Sequence, residues 1–191
     1  MEKGDLASRL NGAGLKGGDR WVQADEMRMG LHGQVRRVWA PRGIKVRQRR
    51  QIVYHWTYLA IGVDGIRGEL HWVWLPNMKK EPMAAMVGFW RSKGVDEIVW
   101  DGASSHRAHV VREVGVPLIG LPPSSPELNP AERVIEVIRG RIEGRVYADL
   151  DAKRAAAEAV LKELVADPES IRRLAGWSWL READVQLAAA K

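Results

Sequence analysis

Apolar positions change their spacing along the chain, and the change predicts where strands give way to helices. In the first part they come in short, dense runs. Arg20-Trp-Val-Gln-Ala-Asp25 has the size and composition of a strand that ends on a carboxylate. A basic, glycine-bearing segment from Met29 to Arg50 follows, with Val35 to Pro41 as a short strand. Ile52 to Val63 and Ile66 to Leu75 are rich in β-branched and aromatic residues, and Asp64-Gly65 between them predicts a two-residue hairpin turn. The spacing then becomes helical. Met83, Met86, Val87 and Trp90 predict a helix over 82–93 that Gly94 stops. Ile98-Val99-Trp100-Asp101 is a buried strand, again ending on a carboxylate. A short helix capped by Ser104 or Ser105 runs through Glu113, and Val116 to Leu121 is another strand. From Pro130 to Val146, a stripe of Ala131, Val134, Ile135, Ile138 and Ile142 predicts a helix. An alanine-rich helix over 150–166 stops near Asp167-Pro168, and a helical tail packs Trp177 and Trp179 back on the body.

This order suits an α/β domain: a mixed sheet flanked by helices, with antiparallel strands first and parallel strands later. Such sheets gather their sites at the carboxyl ends of strands, where Asp25 and Asp101 are expected. Residues 1–19 read as a flexible lead-in with one short helix near Leu6 to Leu10. Residues 20–147 form the main domain, and 148–191 a helical extension packed on it.

With 191 residues and 46% hydrophobic content, the chain can bury a real core. Its net charge of +6 and pI of about 9.8 make a polyanion a plausible partner. The distribution is more telling. Arg36, Arg37, Arg42, Lys45, Arg47, Arg49 and Arg50 fall in one stretch that holds no acid. A charge run is usually a solvated face. Interleaved with Trp39 and Tyr54, this one is expected to grip DNA phosphates. The absence of cysteine excludes disulfides, thiol nucleophiles and cysteine-based zinc sites. There is neither a signal-peptide pattern nor an apolar run of the roughly 18 residues that a membrane helix needs. A cytoplasmic, nucleoid-associated protein without a membrane partner is the expectation. His106 and His109 have i, i+3 spacing, but zinc would require further ligands that nothing supplies. The tryptophans at 56, 72, 74, 90 and 100 are expected in the core.

The chemistry converges on Leu121 to Glu136, where Pro122, Pro123, Pro126 and Pro130 stiffen the entry to a helix and deliver Glu132 to its first turn. Two-metal phosphoryl transfer needs oxygen ligands that hold two divalent ions about 3.5–4 Å apart. Asp25 and Asp101 at neighbouring strand ends, with Glu132 from an adjacent helix, fit that need. Each also has a plainer reading. Asp101-Gly102 resembles an ordinary turn. With Asn129 as N-cap and Pro130 at N1, Glu132 falls at N3, where glutamate completes a capping box. Such a cap is worth about 1 kcal/mol, too little to require so elaborate an entry. Spacing alone leaves the two readings level. Glu26 is expected on the opposite sheet face from Asp25, and Glu136 on an exposed helix face.

Three segments resemble the DDE endonuclease domain of mariner-like insertion-sequence transposases. They are Gln23-Ala-Asp-Glu-Met27 followed by Val38-Trp-Ala-Pro-Arg-Gly43, then Val99-Trp-Asp-Gly-Ala-Ser-Ser-His106, then Leu121-Pro-Pro-Ser-Ser-Pro-Glu-Leu-Asn-Pro-Ala-Glu-Arg133. The resemblance implies an RNase H-like fold with a five-stranded mixed sheet, and Asp25, Asp101 and Glu132 as catalytic metal ligands for two Mg²⁺ or Mn²⁺ ions. It implies DNA, both transposon ends and target, as the substrate, and a homodimer in the active complex. Water would attack the transposon-end phosphodiester, and the freed 3′-hydroxyl would attack target DNA. His106 is implied to support the site or face DNA. The chain departs from the family's usual asparagine after the second aspartate (Gly102), from a tyrosine in the Pro-Ser-Pro stretch (Ser124), and from a tryptophan after Glu-Arg-Val (Ile135). Only 24 residues precede Asp25, so the family's helix-turn-helix modules are expected on a separate chain or missing. A DNA-binding remnant that does not cut, or a cellular RNase H-like resolvase, is the alternative.

Overall fold

The computed structural model describes residues 5–33, 37–122 and 126–189. Its centre is a mixed five-stranded sheet of order β3-β2-β1-β4-β5, built from β1 (Trp21–Gly30), β2 (Trp56–Asp64), β3 (Glu69–Leu75), β4 (Glu97–Trp100) and β5 (Leu118–Gly120). β1, β2 and β3 form an antiparallel meander, whereas β4 and β5 run parallel to β1. This is the α/β architecture the apolar spacing predicts.

Period-two alternation divides the sheet faces. Met27 and Met29 of β1, with Leu59 and Ile61 of β2, lie under α4 (Ala131–Ile142) and α5 (Leu150–Ala166). Val22 and Ala24 turn the other way, towards Met83, Met86, Val87 and Trp90 of α2 (Lys80–Ser92). Gly94, at φ +84°, lets the chain leave α2.

Several boundaries differ from the expectations. β1 does not stop at Asp25: it runs on to Gly30, pairing with β2 from Gln23 to Gly30. Met27 and Met29 are buried while Arg28 is exposed, so the alternation needed for a strand persists past the carboxylates. The described part of the Val35 to Pro41 segment, residues 37–41, is not a strand. β2 begins only at Trp56, leaving residues 37–55 as a long irregular arm between β1 and β2. The hairpin does not turn on two residues either. Asp64 pairs with Glu69, and the four residues between them close through Gly68 N–H to Asp64 C=O at 2.8 Å, with Gly68 at φ +74°. Gly65 serves a different end, since a Cβ there would lie 2.3 Å from the Ala175 carbonyl oxygen. The helix expected from Ser104 or Ser105 is shorter, α3 (His109–Arg112).

Residues 1–19, expected as a flexible lead-in with a short helix, include α1 (Asp5–Gly12). Its Leu6 and Leu10 are buried in a cluster with Leu180, Ala183 and Leu187 of α7 (Ser178–Ala189). α6 (Pro168–Ala175) connects α5 to α7, and Trp177 and Trp179 pack partly buried on that same cluster. No helix among the described residues is long and apolar enough to cross a membrane.

Candidate active site

Sheet register sets Asp25 and Asp101 side by side. The last β1–β4 pairs are Val22 with Ile98 and Gln23 with Val99. Two residues beyond that pair on each strand stand Asp25 and Asp101, level with each other and, by the period of two, on the same sheet face. The parallel ladder ends just before them. Although Asp25 lies inside β1, it therefore occupies the carboxyl end of the parallel part of the sheet.

Glu132 reaches this face on α4, whose buried stripe Ala131, Val134, Ile135, Ile138 and Ile142 packs over Met27 and Met29. The start of α4 is fastened to β1 by one side chain. Asn129, 5% exposed, donates Nδ2–H to the Ala24 carbonyl at 2.9 Å, and its Oδ1 accepts from Ala131 N–H at 3.2 Å. A single buried amide thus caps the helix and locks its first turn beside Asp25. The 3₁₀ turn Pro126–Leu128 leads into it. The capping box is not made by Glu132: no described residue donates to its carboxylate, and the cap belongs to Asn129. Pro123, Ser124 and Ser125 lie outside the described residues.

The electrostatics of the two aspartates diverge. Burial, reinforced by the negative charges of Glu26, Glu132 and Asp101, pushes the Asp25 carboxyl up to about 7, against a hydrogen bond from Glu26 N–H that favours the charged form. No described cation pairs with it. Asp101, whose side chain is 59% exposed, is held below its usual range, first by the 2.7 Å hydrogen bond with His106 Nδ1. Ala103 N–H also donates to it at 3.0 Å.

His106 is buried and stacked on Trp100, with ring centroids 3.7 Å apart. Its Nε2 lies 3.5 Å from Glu26 Oε1, an ion-pair distance rather than a good hydrogen bond. Burial works against its charge, but the Asp101 hydrogen bond and the Glu26 carboxylate outweigh it and push His106 up to about 9. Glu26 faces away from Asp25, as expected, and is buried there, accepting from Trp100 Nε1 at 2.8 Å. The chain Glu26–His106–Asp101 therefore wraps round the end of β4 and holds the second aspartate from behind.

Three carboxylates are a donor set suited to hard divalent cations. Their mutual repulsion at Asp25 is an excess of negative charge that a cation would relieve. With Asp101 turned onto His106, no three His, Asp or Glu side chains among the described residues are close enough to share one ion as they stand.

The other expected residues are more dispersed. Arg37, Arg42, Lys45, Arg47, Arg49 and Arg50 lie exposed on the arm, and Arg36 lies outside the described residues. Arg50 approaches His32 at 3.1 Å. His109 is 86% exposed beside Glu113, and Glu136 is exposed and paired with Arg133. Among the tryptophans, Trp90 and Trp100 are buried, whereas Trp56, Trp72 and Trp74 are half-buried. Sequence reasoning took Asn129 for a cap and missed its bond to β1. It also left Arg145, beside the arm, unremarked.

Residues 20–153 match the family described as DDE superfamily endonuclease. No curated protein matches the chain. Among solved structures, the Mos1 transposase paired-end complex with left transposon end is similar at 16% identity and a TM-score of 0.63, covering 98% of this chain and 59% of that one. The pre-cleavage Mos1 transpososome gives 15% and 0.63, covering 98% and 60%. The catalytic domain of Mos1 mariner transposase gives 14% and 0.57, covering 97% and 86%. The chain thus spans about three fifths of the two transposases seen in complex and most of the isolated catalytic domain, with which it shares the RNase H-like fold. The family match, spanning Asp25, Asp101 and Glu132 on that fold, places the chain among the DDE superfamily endonucleases.

Proposed function

We propose that the chain is the catalytic domain of a transposase, a metal-dependent DNA endonuclease and strand transferase in which Asp25, Asp101 and Glu132 hold two divalent cations. What supports this reading is the placement of Asp25 and Asp101 level with each other at neighbouring strand ends, with α4 carrying Glu132 on the same face, and an Asp25 carboxyl raised by burial and then by its neighbours' charge with no described cation paired to it. The solved Mos1 paired-end complexes include forms with Mn and with Mg, which makes those ions the first to try.

When bound, such ions make water a better nucleophile and stabilise the leaving oxygen of a phosphodiester. The chain's own part is positional. Asn129 fixes the distance from α4 to β1, and with it where the Glu132 backbone stands relative to Asp25. His106, held by Trp100 and Glu26, restrains Asp101. Asp25, half-buried and with its carboxyl pushed up to about 7, would hold the ions in its deprotonated form. Water then attacks the transposon-end phosphodiester, and the freed 3′-hydroxyl attacks target DNA. The arm carries the basic residues that would meet DNA phosphates. Recognition of the ends is assigned to helix-turn-helix modules, and the working form to a homodimer.

The test is nicking of a labelled transposon-end duplex in Mg²⁺ or Mn²⁺, comparing wild type with Asp101→Asn. Metal-dependent nicking by the wild type that falls by roughly a thousandfold in the variant, the scale for removing a group that stabilises transition-state charge, is expected. Equal nicking by both would sink the assignment. Salt-sensitive binding with no cutting by either would identify a DNA-binding remnant.

A further inference from the structure

The irregular arm between β1 and β2 does not stand alone. Gln51 grips the main chain beyond α4 with both ends of its amide: Nε2 donates to the Tyr147 carbonyl at 3.0 Å and Oε1 accepts from Tyr147 N–H at 3.3 Å. Nearby, Gly144 lets the chain pass so close to Gln48 that an added Cβ would lie 3.3 Å from its amide nitrogen. Arm and α4–α5 turn thus enclose a pocket of about 700 Å³.

Four arginines line it: Arg37, Arg47 and Arg49 from the arm and Arg145 from the turn. Among the described residues its one acid, Glu143, is committed to Lys153 at 2.9 Å, both side chains being almost fully buried. No described carboxylate lies within ion-pair distance of the four guanidinium groups. Exposed Val38 and Val146 add apolar wall. Forked, weakly hydrated cations around an open pocket suit phosphate oxygens, and apolar walls suit the adjoining sugars.

Position supports a nucleic acid rather than a small anion. Gly140 of the pocket lies eight residues along α4 from Glu132, which is about 12 Å of helix. One DNA strand advances about 3.4 Å per nucleotide along its axis. A strand whose phosphate reacts at Glu132 would therefore place another near the pocket three to four nucleotides away. We infer that this pocket seats a backbone phosphate of the bound DNA, with α4 setting its distance from the reacting phosphate. The inference rests on the DNA-cutting reading and specifies where that DNA lies.

The test measures duplex binding by the full chain between 50 and 200 mM salt for wild type, Arg145→Ala, Arg47→Ala and Arg173→Ala, a surface change on α6. Each pocket variant is expected to weaken binding about three- to tenfold and to lower the slope of log affinity against log salt by about one, whereas Arg173→Ala does neither. A neutral methylphosphonate placed singly along the strand should weaken wild-type binding at a position about three to four nucleotides from the nick. At that position it should not further weaken Arg145→Ala. Wild-type affinity and slope in both pocket variants, with nicking intact, would overturn the phosphate seat and spare the endonuclease reading. The expected salt slopes with no nicking by the wild type would uphold the seat and overturn the endonuclease reading. A wild type that binds no duplex would overturn both.

Discussion

Two partly buried acids in this protein meet opposite fates. Glu143, at the C-terminal end of α4, faces Lys153 at 2.9 Å, and Lys153 also donates to the Gly30 carbonyl at 2.8 Å. Asp25, near the other end of the same helix, meets Glu26, Glu132 and Asp101 instead of a cation. One acid is neutralised by the fold and the other is left in excess. The difference separates charge that holds the structure together from charge that the structure carries at a cost. Asp64 belongs with Glu143: it is buried but accepts from Ile66 N–H, Arg67 N–H and the Arg67 guanidinium. It and Asp101 both precede glycine, yet only Asp64 is fully satisfied by its own turn.

The contrast predicts substitutions of opposite sign. The largest effect belongs to Lys153→Met, which strands Glu143 and should cost about 3–5 kcal/mol in denaturant unfolding. Adding Glu143→Leu should recover most of that loss, and failure to do so would mean that the pair is not the relevant unit. Asp25→Asn should instead stabilise the cation-free protein, by on the order of 2 kcal/mol at pH 8 after allowance for partial exposure. Because the folded carboxyl is raised from 3.8 to about 7, its contribution to stability is full below pH 3.8 and is lost as pH rises through 7. The variant's advantage should therefore grow between pH 4 and 7, and saturating Mn²⁺ should erase it. A destabilised Asp25→Asn at pH 8 would refute the excess-charge account.

Glu97 sharpens the same comparison with a smaller effect. It is fully buried, neither carboxylate oxygen has a hydrogen-bond partner among the described residues, and burial, aided by Asp19, pushes it from 4.5 up to about 8. Its contribution is present below pH 4.5 and lost as pH rises through 8. Glu97→Gln should gain on the wild type as pH rises from 4.5 to 8 and level off above that, by about 1 kcal/mol in urea unfolding, and Mn²⁺ should leave that gain unchanged. A gain that responds to Mn²⁺ would tie Glu97 to the proposed cation site, contrary to its place at the start of β4.

The sheet was legible because alternation and helical spacing are local properties. So was the ordering of its antiparallel and parallel halves. β1 was read too short because Asp25 and Glu26 interrupt the apolar pattern, although Met27 and Met29 resume it. The Asp64-Gly65 pair suggested a tight turn, but Gly65 is needed for contact with α6, a partner more than a hundred residues away that no local pattern reveals. At the site, Asp25, Asp101 and Glu132 stood out by residue type and placement. The function of Asn129 did not, since its bond to Ala24 spans 105 positions. The local signal showed half of that residue, its oxygen as a cap, and hid the nitrogen.

Asn129 has a wider consequence. Ala24 lies one step past the last rung between β1 and β4, and the Asn129 amide offers its carbonyl the bond that a further strand residue would have given. A side chain thereby stands in for a missing piece of strand, and the tether between β5 and α4 acts across it only through the few residues from Asn129 to Glu132. An insertion between Asn129 and Glu132 would turn the glutamate away from the sheet, because the bond to Ala24 fixes the chain only at the asparagine.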